Sequence, residues 1–409
     1  MTLRAKAYRL PPLLKYPGGK EKELKYILPA LPPKAADYYE PFVGGGAVYL
    51  AMEAEHYFIN DKSSDLMKLY EKVRTEDPDF FENLRAMDQC WRFLGHLAEA
   101  HKNELIELYR SYCRLPHTES RSTILSAYLD RLTAYTDDLA FLTLARPSWL
   151  TCQTFLEELT ISFENKFARM KKLEETKGAL SEKDLFCNLE VCLKNSFYMY
   201  MRRRCNHKKE NPISDGEQTA LYFFIREYCY SSMFRYNSNQ EFNVPYGGIS
   251  YNRKTLEKKI EALTNPELLS QLKRTALSTC DFADFFRQRP PKPEDFIFLD
   301  PPYDTTFSSY DGNAFGKEDQ KRLADYLIRQ CPAYFMLIIK NTEFITDLYP
   351  EETETASGRP LFVYKFSKQY FVSFKDRNDK KAEHLMITNY PVSLDLSLNV
   401  SPEPGKRLD

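Results

Sequence analysis

The chain has 409 residues, 43% of them hydrophobic and 14% aromatic, which is enough apolar material for a large core in one domain or two. Lys and Arg number 57 against 58 Asp and Glu, so a global basic field is excluded and any nucleic-acid surface must be a local patch. The nine cysteines are scattered and form no C-x-x-C pair, which argues against structural zinc and a disulfide framework and for a reducing compartment.

The opening residues Met1 to Lys6 lack the apolar core of a signal peptide, and no run approaches membrane-spanning length. A soluble, cytoplasmic protein is expected. Lys15-Tyr16-Pro17-Gly18-Gly19-Lys20 then places two lysines five apart across a Gly-Gly turn, either as a clamp for anionic groups or as a solvated basic loop. Asp37 to Val43 reads as a strand running into Gly44-Gly45-Gly46, and Ala47 to Ala54 as the helix behind it. His56 to Asp61 reads as a second strand ending in an acid, with a helix from Ser64 to Lys72. Strand, glycine turn, helix, strand and acid in that order open a nucleotide-binding α/β unit. The glycines let a ligand approach the backbone, and Asp61 is placed to accept from ribose hydroxyls; a plain tight turn and an ordinary terminal acid are the competing readings.

From about Pro78 to Asn211 the text is polar and mostly helical, with breaks at Leu115-Pro116, Arg146-Pro147 and Thr176-Lys177-Gly178. It ends near a basic run, Arg202-Arg203-Arg204 then His207-Lys208-Lys209, suited to phosphates or to a solvated helix face. Tyr230 to Tyr251 is rich in Asn, Arg and Tyr and poor in aliphatics, a composition that suits phosphate and base-edge contacts. Strand and helix alternation resumes near Ala276-Leu277-Ser278. Asp281 ends that strand, either accepting from an amino group with Phe282 packed on the ring or capping the next helix.

Phe296-Ile297-Phe298-Leu299 is a buried strand leading straight into Asp300-Pro301-Pro302-Tyr303. The tetrapeptide therefore sits past the C-terminal end of a strand, where open α/β sheets bind ligands. Asp300 and the Pro301 carbonyl can both accept from an exocyclic amine, the prolines of Pro301-Pro302 fix φ, and Tyr303 offers a stacking face. A Pro-rich exit loop is the bland alternative. A helix over Lys317–Gln330, a strand over Ala333–Lys340 and a late hairpin near Leu361–Phe366 and His384–Asn389 follow, with a disordered tail from Pro391.

Together these segments resemble the Dam-type, alpha-class DNA adenine-N6 methyltransferases. The resemblance rests on Leu14 to Lys20, Glu40-Pro41-Phe42-Val43-Gly44-Gly45-Gly46, Ile59-Asn60-Asp61, Phe234 to Asn237 with Glu241 to Gly247, and Asp300 to Tyr303. It implies a Rossmann-like methyltransferase sheet, mostly parallel with an antiparallel late strand. A catalytic domain is expected over 1–77 and 260–395, with a helical insertion at 78–215, a DNA target-recognition segment at 216–259 and a tail at 396–409. It implies S-adenosylmethionine as cofactor, with contacts from Tyr16, Lys20, Glu40, Pro41, Phe42, Gly44, Gly46, Asp61, Asp281, Phe282 and Asp300, and no metal. Double-stranded DNA is the implied partner, and a cognate restriction endonuclease a functional one. Lys15 matches a lysine touching the first target base, Tyr230 an intercalating aromatic that could equally be core, and Arg235 a base-reading arginine. Asn237 and Asn243 match backbone-contacting asparagines. Ser231 and Met233 replace residues of Dam itself beside Arg235, which leaves the target sequence open. Methylation of an RNA base or a protein glutamine, and a non-catalytic DNA-binding relative, stand as alternatives.

Overall fold

The computed structural model describes residues 2–7, 10–16, 18–114, 152–207, 213–233, 235–303, 315–369 and 381–392. The chain forms two compact units, one of Met1–Pro12, Gly18–Met67 and Ser270–Asp409, the other of Leu13–Pro17 and Lys68–Leu269. The expected helical insertion (78–215) and recognition segment (216–259) thus share one unit. Its edges fall inside the helices Ser64–Arg74 and Pro266–Lys273. The expected tail at 396–409 lies outside the described residues.

The first unit carries strands β1 (Arg4–Ala5), β2 (Tyr38–Glu40), β3 (Met52–Glu53), β4 (Tyr57–Asn60), β5 (Thr275–Ser278), β6 (Phe296–Leu299), β7 (Tyr334–Lys340), β8 (Phe362–Gln369) and β9 (Lys381–Thr388). Seven of them make one sheet in the order β5-β4-β2-β6-β7-β9-β8. Pairings from β5 through β7 are parallel, while β9 runs antiparallel to both β7 and β8. This is the Rossmann-like sheet with an antiparallel late strand that the resemblance implies, and β8 with β9 forms the late hairpin read from the residues. Strand β6 shows why its sequence is unbroken apolar text: Phe296, Ile297, Phe298 and Leu299 are all fully buried, so neither face needs polar residues. On one face Ile297 and Leu299 join Tyr39, Phe335 and Leu337 against Phe285, Leu323 and Leu327 from the helices Phe282–Gln288 and Lys317–Arg329.

One expected element is absent. Ala47–Ala54 forms a single 3-10 turn at Tyr49–Ala51 followed by β3, which pairs antiparallel with β1. Every side chain from Ala47 to Met52 is buried, so the stretch has no polar face for an amphipathic helix to turn outward. Tyr49 instead packs edge-on to Tyr57 and exchanges a 2.6 Å hydrogen bond with Thr275.

The second unit is helical, with Pro78–Ala100, Lys102–Arg114, Cys152–Lys177, Glu182–Asn206 and Asp215–Tyr228 as its main elements. The helix starts are written locally. Asp77, Ser181 and Ser214 each accept from a backbone N–H in the first turn, and Pro78 needs no such acceptor. Trp91 centres the packing, fully buried against Phe197, Phe224, Tyr228 and Tyr246, with its indole N–H donating to Lys254 O at 2.9 Å.

Candidate active site

Because β5, β4, β2 and β6 run parallel, their C-terminal ends emerge along one sheet edge. Glu40, Asp61, Asp281 and Asp300 are carried there by four separate segments of sequence. The loop after β2 is built for close approach, with Gly44 at φ 50° and Gly46 at φ 78°. Asp61 holds that loop: one carboxylate oxygen accepts from Gly44 N and the other from Ser63 N, each at 3.0 Å. A carboxylate accepts up to about four hydrogen bonds, so loop anchoring and ribose binding are compatible in one side chain.

Asn60, buried one residue earlier, ties the edge together. Its amide donates to Pro41 O and Cys280 O at 3.0 Å each, and its oxygen accepts from Cys280 N at 3.0 Å. The loops after β2 and β5 are thereby set by one side chain, a role the sequence did not advertise.

Asp300 and Lys20 form an ion pair although 280 residues separate them. The Lys20 side chain is 2% exposed and that of Asp300 20%. The ammonium also donates to Gly18 O at 2.9 Å and lies 3.3 Å from the Tyr303 hydroxyl. Gly18 makes the turn at φ 79°. Lys20, expected as a cofactor contact, touches both Asp300 and Tyr303. Tyr303 packs edge-on to the buried His384, 5.5 Å between centroids. Beside them Glu40 is fully enclosed; burial pushes its carboxyl well above the ordinary range, while a 2.6 Å hydrogen bond from Tyr38 works the other way. Pro301 is buried, and Pro302 O accepts from Gln320 Nε2 at 2.8 Å.

Asp281 caps the Phe282–Gln288 helix by accepting from Ala283 N at 3.0 Å, and it also receives Arg322 Nη2 at 2.7 Å. Phe282 is buried against Phe42 and Phe315, with the Arg322 guanidinium 4.9 Å above its ring. Arg322 and Phe315 went unnoticed in the sequence because nothing local marks them.

In the second unit Lys15 is exposed, and its carbonyl accepts from the buried Arg226 at 3.3 Å. Tyr16 falls in this unit too, 5.4 Å below that guanidinium. Tyr230 is 43% exposed and not core, set on a turn in which Ser231 and Ser232 take φ 53° and 50°. Left-handed serines are uncommon, and such strain concentrates at functional sites. Half-buried Met233 closes the turn, its N–H donating to Tyr230 O at 3.2 Å.

Arg235 is exposed and steered by Asn243, whose Oδ1 accepts from Arg235 Nε at 2.8 Å and whose carbonyl accepts from Nη2 at 3.3 Å. Asn243 therefore orients the arginine. Asn237 closes its own loop through Asn239 N, Glu241 N and the Glu241 carboxylate. The basic run divides: Arg202 donates to Val244 O and Arg204 is buried on Glu217, whereas exposed Arg203 lies on a solvated face 3.9 Å from Glu158. Arg202 thereby braces the chain at Val244 and Arg204 the helix Asp215–Tyr228, while Arg203 stays on the exposed face of the helix Glu182–Asn206; Lys208 and Lys209 lie outside the described residues. Among the described residues no group of three His, Cys, Asp or Glu could hold a metal, and no helix is long and apolar enough to cross a membrane.

A mostly parallel sheet with acids at its carboxyl edge, a glycine loop and an Asp-Pro-Pro-Tyr turn after β6 is the frame of a Rossmann-like α/β enzyme. The chain matches the D12 class N6 adenine-specific DNA methyltransferases over residues 16–121 and 157–357, and it belongs to that family. It is 29% identical over 203 residues to the Type II methyltransferase M.CviBI of Paramecium bursaria Chlorella virus NC1A, covering 48% of this chain and 72% of that one. It is 23% identical over 355 residues to the Type II methyltransferase M.MjaIII of Methanocaldococcus jannaschii, covering 83% and 87%. A DNA adenine methylase of Haemophilus influenzae is 28% identical over 163 residues, covering 37% and 52%. The protein is an adenine-specific DNA methyltransferase, and the RNA-base, protein-glutamine and non-catalytic readings fall away.

Proposed function

We propose that this protein methylates the N6 amine of an adenine flipped out of a specific double-stranded DNA sequence, with S-adenosylmethionine as donor. The observation that carries the reading is the Lys20–Asp300 pair beside Tyr303, at the edge where Glu40, Asp61 and Asp281 also emerge.

The residues present fit that cofactor. The left-handed glycines of the β2 loop let a ligand lie against backbone, Asp61 suits a ribose diol, and Asp281 beside Phe282 and Phe42 suits an amino-bearing flat ring. Pro41 and Gly46 complete the loop. The cofactor supplies an activated sulfonium methyl group. The protein's own task is to make a poor nucleophile attack. Adenine's N6 lone pair is delocalised into the ring; Asp300 and the Pro301 carbonyl, each accepting one N6 hydrogen, favour a more tetrahedral nitrogen. The same acceptors stabilise positive charge developing there, and they are in place beforehand.

Flipping costs a few kcal/mol, and stacking on an aromatic returns about 1–3 kcal/mol per base. Tyr303 supplies that face for the flipped adenine, and the exposed Tyr230 fills the vacated stack. Lys15 and Arg235 read base edges, with Met233 and Asn243 framing the arginine and Asn237 shaping its loop. The Type II relatives support a role alongside a restriction endonuclease of the same specificity. Expression in a methylation-deficient host followed by methylation-aware sequencing tests the reading: modified adenines within one motif are expected, absent with Asp300→Ala. No modified adenine, or a fully active Asp300→Ala, overturns it.

A further inference from the structure

Gln320 lies on the first turn of the Lys317–Arg329 helix, in the stripe that Leu323, Ala324 and Leu327 bury in the core. It is 0% exposed, a place where an apolar side chain would pack without an amide to satisfy. Its Nε2 donates to Pro302 O at 2.8 Å. Its Oε1 is buried and has no hydrogen-bond partner among the described residues. The amide cannot be turned around, because Pro302 O is only an acceptor and would then face another oxygen. A fully buried amide with one end committed to the motif loop and the other unsatisfied is a cost to folding.

We propose that Gln320 is a positioning residue for the methyl-transfer site, fixing the peptide plane between Pro302 and Tyr303. The inference rests on the proposed function and adds a residue to it. Proline rings set φ at 301 and 302, so between Asp300 and Tyr303 the soft dihedrals are the ψ angles alone. The Pro302 carbonyl lies in the plane that carries Tyr303 N, and pinning it fixes ψ at 302. That sets the direction in which Tyr303 leaves the backbone. His384 then limits the ring and Lys20 meets the hydroxyl, so the stacking face is held at three points on three elements. Pro302 has no N–H with which to anchor itself, and the anchor has come from a helix instead.

The test is steady-state methylation of unmethylated DNA by wild type, Gln320→Met and Gln320→Glu, with thermal unfolding of each. Gln320→Met keeps the volume and removes the unsatisfied oxygen, so its Tm should equal or exceed that of wild type. Its kcat should fall about tenfold to a hundredfold, the scale of a misplacement near 1 Å, with KM for DNA changed far less. Gln320→Glu donates to Pro302 O only when protonated, so its kcat should rise relative to wild type as pH falls. Wild-type kcat in Gln320→Met, or a kcat loss matched by a fall in Tm together with a Gln320→Glu profile parallel to wild type, overturns the positioning role. Asp300→Ala in the same assay separates the two ideas: an inert Asp300→Ala beside a fully active Gln320→Met refutes this inference and leaves the proposed function standing.

Discussion

Replacing Asp300 with Asn should damage stability and turnover for different reasons, and a double-mutant cycle with Lys20→Met separates them. Lys20 is 2% exposed and bonded to Asp300, so Asp300→Asn leaves an enclosed ammonium without its countercharge, with only neutral acceptors such as the Gly18 carbonyl, the Tyr303 hydroxyl and the new amide oxygen around it. Breaking a buried pair costs about 3–5 kcal/mol. The lower end applies, since Asp300 is a fifth exposed and Gly18 O remains. Lys20→Met leaves the partly exposed carboxylate, at a cost of about 1–2 kcal/mol. The double variant has no charge to strand and should lose less than the sum, giving a coupling of about 2–3 kcal/mol. Turnover behaves otherwise. Loss of one preorganised partner costs about a hundredfold to a thousandfold in kcat, and the double variant regains none of it. Urea unfolding supplies the stability arm, and label transfer from S-adenosylmethionine into unmethylated DNA supplies the kinetic arm. Additive stability losses would refute the ion pair, and an Asp300→Asn variant with wild-type kcat would refute the chemistry.

Asp61→Asn should weaken cofactor binding about tenfold to a hundredfold, from charge-assisted bonds worth about 1.5–3 kcal/mol; unchanged affinity by calorimetry would remove Asp61 from that site. Arg235→Ala should relax choice at one base pair by about 1–3 kcal/mol. Asn243→Ala should relax the same base pair by less, because it frees the Arg235 Nε–H from its acceptor; sequencing that shows different positions affected would break the link. Tyr230→Ala should leave stability within about 0.5 kcal/mol, as an exposed site does, yet reduce the fluorescence rise of 2-aminopurine placed at the mapped target. Glu40 binds its proton more tightly folded than unfolded, so its contribution is fully present below the ordinary value of 4.5 and is lost as pH rises through the raised one. Glu40→Gln, which can still accept from Tyr38, should therefore flatten the decline in stability between acidic and neutral pH; urea midpoints that track wild type would contradict this.

The sheet was legible wherever burial left a one-dimensional trace. Phe296 to Leu299 reads as a central strand because both faces are apolar, and the acids at or just past the ends of β2, β4, β5 and β6 can be placed from the strand pattern alone. Ala47 to Ala54 misled because a short all-buried stretch has no periodicity to distinguish helix from turn and strand. Arg202 to Arg204 could not be sorted for a related reason: a charge on a helix looks the same in sequence whether, like Arg203, it faces solvent or, like Arg204, is buried on Glu217. Tyr230 was ambiguous until its exposure was known. Lys20 was visible as a motif lysine, but its partner lies 280 residues away, and no local pattern reports such a distance. Asn60, Arg322 and Gln320 bond to residues far away in the chain, and such a supporting side chain leaves no signature beyond its identity.

For the proposed chemistry, the Lys20–Asp300 pair also bears on which of two uses an acid at this position would have. A general base must take a proton in the transition state, whereas a hydrogen-bond acceptor has only to stay ionised and correctly aimed. An opposite charge at hydrogen-bond distance favours the ionised form of a carboxylate, and an ionised carboxylate offers nothing but acceptors. The adenine amine holds its protons tightly until nitrogen begins to bond to carbon and becomes acidic, so early proton removal would gain nothing. An acceptor fixed by an ammonium suits that order of events better than a base. The ammonium is in turn fixed by Gly18 O on a turn that requires left-handed glycine, so the aim of Asp300 is determined by backbone as well as by charge.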